Sequence, residues 1–86
     1  GAPQPPPDPA LQVDRIADEF ERFLRKGLRP QIEQYLRRVD ADFRGQLLAA
    51  VLPLELEWCA GQGITLIPLQ YYRRFPEHYE IVQSVL

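Results

Sequence analysis

Residues 43–59, FRGQLLAAVLPLELEWC, form the longest apolar stretch of the chain. Placed on a helix at about 100° per residue, the side chains fall on two adjoining stripes. Phe43, Leu47, Val51, Leu54 and Trp58 make one, and Leu48, Leu52, Leu56 and Cys59 make the other. A helix apolar over so much of its circumference must be covered by several partners, so the stretch predicts a central element around which the rest packs. It is too short and too charged to span a membrane. Pro53 lacks an amide donor and crowds the carbonyl four residues back, which predicts a kink or a break. Glu55 projects between the two stripes.

On the N-terminal side, Asp40 or Asp42 is positioned to cap this helix, and Gly45 costs about 1 kcal/mol against alanine, which predicts a regular helix only from there. Pro30 is expected to open a short helix through Arg38, with Ile32, Tyr35 and Leu36 inward. Between Leu11 and Lys26 the residues Val13, Ile16, Ala17, Phe20, Phe23 and Leu24 recur at helical spacing, and Gly27 follows as a C-terminal stop. Leu28 is expected to fold back onto the core. Residues 1–10, GAPQPPPDPA, read as a disordered proline-rich linker or expression remnant, with a PxxP spacing that could also engage an aromatic groove.

On the C-terminal side, Gly61 to Gly63 end the central helix. Ile64 to Ile67, with no second strand to pair with, is expected to cross as an extended loop that lays Leu66 or Ile67 on the core. Pro68 starts a helix through Arg74 and Pro76 a final one through Leu86, with Phe75 extended between them. The expected fold is therefore all-α: a compact bundle of five to six short helices around a proline-kinked central helix, with residues 11–86 as a single domain.

A chain of 86 residues with 45% hydrophobic content can build one small core. A net charge of −2 argues against a general nucleic-acid binder, which needs a positive face. The single cysteine, Cys59, cannot form an internal disulfide. It reads as a small buried hydrophobe in a reducing, cytoplasmic setting. Signal peptide, membrane span and lipidation signal are not visible, and no membrane partner is expected. Cys59 and His78 are the available nucleophile and imidazole, but a dyad needs them adjacent, and together they fall short of a structural zinc set. No cofactor and no metal is called for.

Two segments echo each other. In 30–43, PQIEQYLRRVDADF, and 68–79, PLQYYRRFPEHY, the residues Tyr35, Arg37, Arg38, Val39 and Phe43 match Tyr71, Arg73, Arg74, Phe75 and Tyr79 at one constant offset. Each reads as a helix-turn-helix corner, with the tyrosine and the residue after the arginines inward and the arginine pair at a helix C-terminus. Glu55 or Glu57 is expected to pair with one of Arg37, Arg38, Arg73 or Arg74 in a structural role. Arg37, Arg38, Arg73 and Arg74, with Tyr72, are also the candidate groups for a phosphate or an acidic protein partner.

The phrases Arg29–Leu36, RPQIEQYL, and Tyr71–His78, YYRRFPEH, with the central LELEW at 54–58, resemble a small helical module found beside the catalytic domain of many bacterial Ser/Thr protein kinases. The likeness runs from Asp14 to Leu86. Pro53 and the lack of arginines after Trp58 depart from the module's pattern. The resemblance implies a regulatory or interaction role without catalytic residues, and a partner that is another protein, the chain's own kinase domain or a second copy. No Gly-rich loop, VAIK-like lysine, HRD or DFG is present. The alternative is a helix-turn-helix DNA-binding module, which would require a clustered basic face.

Overall fold

Asp8 opens the first helix: its carboxylate accepts from the Ala10 amide at 3.0 Å, and Pro9 takes the first helical position, where an amide would have been unpaired anyway. Helix α1 (Pro9–Arg25) thus starts before Leu11, where the apolar periodicity begins. The computed structural model describes residues 8–86, and the linker, disorder and PxxP readings of residues 1–7 fall outside that range. The remaining elements are α2 (Ile32–Leu36), α3 (Ala41–Gly61), α4 (Pro68–Arg74), a 3₁₀ turn (Pro76–His78) and α5 (Tyr79–Val85). No strand occurs among the described residues.

Helices α1, α2 and α5 all pack on α3, which supplies Leu47, Leu48, Val51 and Leu52 to the fully buried core. Val13 and Phe20 of α1, Ile32 of α2 and Val82 of α5 meet them there. Every member of the two apolar stripes is at least half-buried. Gly45 marks the closest approach, since a Cβ built on it would stand 3.0 Å from Ile81 Cδ1. The helix begins at Ala41, four residues before Gly45.

Of the kink or break expected at Pro53, the break does not occur: α3 runs through the proline as one helix. Pro53 lies on the exposed stripe with Gln46, Ala49, Ala50, Glu57 and Ala60. The Ala49 carbonyl, left without an amide donor by the proline, belongs to this exposed side of the helix, where water can replace the donor.

Other expectations are corrected at the crossings between helices. Pro30 does not open α2. It lies in an extended crossing, residues 28–31, and α2 begins at Ile32. Leu28 is 54% exposed instead of folding back. The 64–67 crossing is non-helical, as its composition predicts, but Leu66 and Ile67 stay exposed at 39% and 48%. The fully buried core is supplied by α3 and its partners on α1, α2 and α5, and these two side chains lie outside it.

The echo extends further back than the two corners. Gly27 and Gly63 sit at equivalent positions and both adopt positive φ, +81° and +73°. Each ends a long helix with the same bonds: Lys26 N to Arg22 O and Gln62 N to Trp58 O, Leu28 N to Phe23 O and Ile64 N to Cys59 O. This is the Schellman end, which needs a left-handed residue that glycine adopts without strain. Helix α3 closes the first copy of the pattern and opens the second.

Candidate functional site

The corners are built from the same parts. Tyr35 and Val39 of the first, and Tyr71 and Phe75 of the second, are buried. Over each tyrosine lies the second arginine of the pair: Arg38 is 5.1 Å from the Tyr35 ring centre and Arg74 5.3 Å from that of Tyr71. Each arginine is then held by a glutamate of the preceding long helix, Arg38 by Glu19 and Arg74 by Glu55. Glu19 and Glu55 occupy equivalent positions, and both bonds span 19 residues. The carboxylate half of the device had a signal in the chain: the offset of the tyrosines, carried back, joins these two glutamates.

Arg74 carries more than its counterpart. Its Nη1 donates to Glu55 at 2.8 Å and its Nη2 to Glu33 of α2 at 2.7 Å, while the guanidinium also lies 4.9 Å from the Phe75 ring centre. One side chain thereby ties α2, α3 and α4 together. Burial works against its charge, yet the bonds to Glu55 and Glu33 raise its pKa above the ordinary value. Burial likewise disfavours the Glu33 carboxylate, but Arg74 outweighs it and holds the carboxyl below the usual range. Arg44, which the sequence does not single out, donates from Nε to the Leu36 carbonyl at 2.9 Å and the Val39 carbonyl at 3.3 Å, closing the end of α2.

Of the candidate binding arginines, Arg38 and Arg74 are thus engaged within the fold, whereas Arg37 and Arg73 are exposed. Tyr72 is half-buried and packs on the Tyr79 ring, with centroids 4.8 Å apart. Glu57 is exposed and makes no ion pair among the described residues. Arg37, Arg44 and His78 line one cleft with Glu33 and Glu77, which leaves it mixed in charge.

A second cleft, of about 210 Å³, lies where the two crossings leave the same end of the bundle. Arg29 and Pro30 line it from the first crossing, and Ile64, Thr65 and Ile67 from the second. Arg29 covers the Trp58 ring at 5.1 Å. Cys59 and Tyr71 lie at its floor, where burial, with the nearby negative charge of Glu55 and the Cys59 thiol, pushes the Tyr71 hydroxyl up to about 12. Cys59 and His78 are not brought together. His78 packs by Gly45, 14 residues before Cys59 on α3, a separation of about 21 Å at the helical rise.

The most exposed apolar part of the molecule is the second crossing and its flanks. Residues 60–70 are exposed throughout, and Ile64, Leu66, Ile67 and Leu69 are among the large apolar side chains left in solvent. No helix among the described residues is long and apolar enough to cross a membrane, and no metal-ligating cluster occurs among them. In comparisons with known proteins, no family model, curated protein or solved structure matches the chain. What the fold and the surface define is therefore a class: a small all-helical domain built on a duplicated arginine corner, with one bare apolar crossing.

Proposed function

We propose that the chain is a non-catalytic regulatory or protein-interaction domain of a bacterial Ser/Thr kinase or related signalling protein, working in the cytoplasm. The observation that carries the interaction reading is the exposed apolar run at 60–70, because contiguous apolar surface on a small soluble domain marks a contact site. The kinase setting draws on the RPQIEQYL and YYRRFPEH phrases. Their residues build the two corners and join them: Ile32, Tyr35, Leu36, Tyr71 and Phe75 are buried, and Glu33 of the first pairs with Arg74 of the second. A helix-turn-helix reading finds less support, since α2 and α4 are short and Arg38 and Arg74 are already paired.

The first test is the coding sequence around this segment, where a protein-kinase catalytic domain is expected in the same frame. The second is titration of that catalytic domain against this one, read by the fluorescence of Trp58 beside the exposed crossing. Binding that Leu69→Glu weakens supports the reading, and an unaltered Trp58 signal at millimolar catalytic domain would refute it.

A further inference from the structure

The crossing at 64–67 has the properties of an edge strand without a sheet. It is non-helical and exposed, and among the described residues no backbone carbonyl accepts from the amides of Thr65, Leu66 or Ile67. The Ile64 amide turns inward to the Cys59 carbonyl at 2.9 Å. Ile67 has extended backbone, with φ −118° and ψ 101°, and extended geometry along the crossing, where directions alternate, would turn the Thr65 and Ile67 amides away from the bundle.

The equivalent crossing of the first copy is protected against pairing. It carries Arg29, a charge, and Pro30, which has no amide, two devices that blunt exposed edges. The second crossing has lost both. From Trp58 to Tyr72 there is no charged side chain, in a chain of which 26% is charged. That absence bears on the occupant. In a two-fold contact each residue near the axis meets its own copy, so a charge there would face like charge. A charge-free run avoids that repulsion.

We propose that the occupant of this surface is a second copy of the chain, paired antiparallel along residues 64–67 with Leu66 on the two-fold axis. Thr65 of each copy then lies opposite Ile67 of the other. The outward Thr65 and Ile67 amides and carbonyls form the ladder, and the Ile67 carbonyl, which also accepts from Gln70 at 3.0 Å, uses its second lone pair. Leu66 falls at the non-hydrogen-bonded pair, where opposed side chains come closest. Ile64 and Leu69 flank the ladder and exclude water from it. This inference rests on the reading of 60–70 as an interaction surface and names its partner.

The test is sedimentation equilibrium of the full chain from micromolar to millimolar concentration. The mass is expected to rise from 10.0 kDa to twice that value. Leu66→Glu and Leu66→Lys should each remain monomeric, with unchanged circular dichroism because Leu66 is exposed, and an equimolar mixture of the two should recover the dimer. Leu11→Glu, at a side chain on α1 that is more open to solvent than Leu66, should dimerise as the wild type does. A wild type monomeric at millimolar concentration overturns the proposal, as does a dimer indifferent to Leu66→Glu, or a mixture that stays monomeric. If the wild type is monomeric while Leu69→Glu still weakens binding of the catalytic domain, only self-pairing has failed. Loss of both removes the interaction reading as well.

Discussion

Replacing Arg74 with alanine separates two views of the second corner, a screened surface pair or a desolvated clamp. The Arg74 side chain is 29% exposed, with Glu55 at 13% and Glu33 at 41%. An exposed pair contributes at most about 1 kcal/mol, whereas stranding a fully buried partner costs about 3–5 kcal/mol. Glu55 and Arg74 are only partly exposed and fall between the two limits, and Glu33 is close to the first, so losing the shared cation should cost about 2 kcal/mol. Contacts over Tyr71 and Phe75 add about 0.5–1 kcal/mol. In urea, with a slope of about 1 kcal/mol per molar, the unfolding midpoint should fall by about 2–3 M, followed by Trp58 fluorescence and circular dichroism together. Arg38→Ala is the internal control, because it removes the same device from a corner whose arginine and glutamate are both more exposed. Its midpoint should move less than half as far. Equal shifts for the two variants would refute the argument that burial sets the difference.

Acid should act through the same clamp. The folded pKa of Glu33 is depressed, so its contribution is complete above the ordinary glutamate value of about 4.3 and is lost as pH falls through the folded value. Glu33→Gln should therefore flatten the acid limb of Tm against pH below that point, and an unchanged limb would contradict the pairing. At the alkaline end the sign reverses. Tyr71 is kept neutral up to about 12, so the stability it adds is intact below the ordinary tyrosine value of about 10 and disappears as pH climbs through the folded one. Tm measurements on Tyr71→Phe should show a shallower alkaline limb, and identical slopes would count against a buried Tyr71. Gly45→Leu should destabilise by about 1–3 kcal/mol through crowding of Ile81, and Ile81→Ala in the same chain should recover part of that loss. Strictly additive effects in this double variant would show that the two positions do not touch.

The parts of the fold legible in the sequence are those whose cause is local. The 3.6-residue period fixes α1, the breadth of its apolar surface marks α3 as central, and Pro68 opens α4 because nothing competes for that position. Pro30 misleads because its fixed φ suits an extended crossing as well as a first helical turn, and only the tertiary path decides between them. Pro53 leaves kink and break open for a related reason. The penalty of an interior proline depends on where the orphaned carbonyl points, and Gln46, Ala49, Ala50 and Glu57 mark that side of α3 as solvent. Leu66 and Ile67 illustrate a limit of a different kind. Apolar character says that a side chain would gain from burial, but not that the core has room for it.

The duplicated device shows how context alters one local pattern. Glu19, Gly27, Tyr35 and Arg38 return as Glu55, Gly63, Tyr71 and Arg74, and the backbone bonds at the two helix ends return with them. What differs is what each corner packs against. The first packs on α3 and is reached from α1 by a single carboxylate, so Arg38 finds only Glu19. The second is laid against the first, so Arg74 also reaches Glu33 of α2 and becomes the more deeply buried cation. The crossings diverge in the opposite direction. The first keeps Arg29, which covers Trp58, and Pro30, while the second presents Ile64, Thr65, Leu66 and Ile67 with neither charge nor proline. Two copies kept only for stability would both benefit from the protected crossing. The better-anchored copy carries the bare crossing, so the Arg74 clamp holds in place the one crossing that lacks both protective devices.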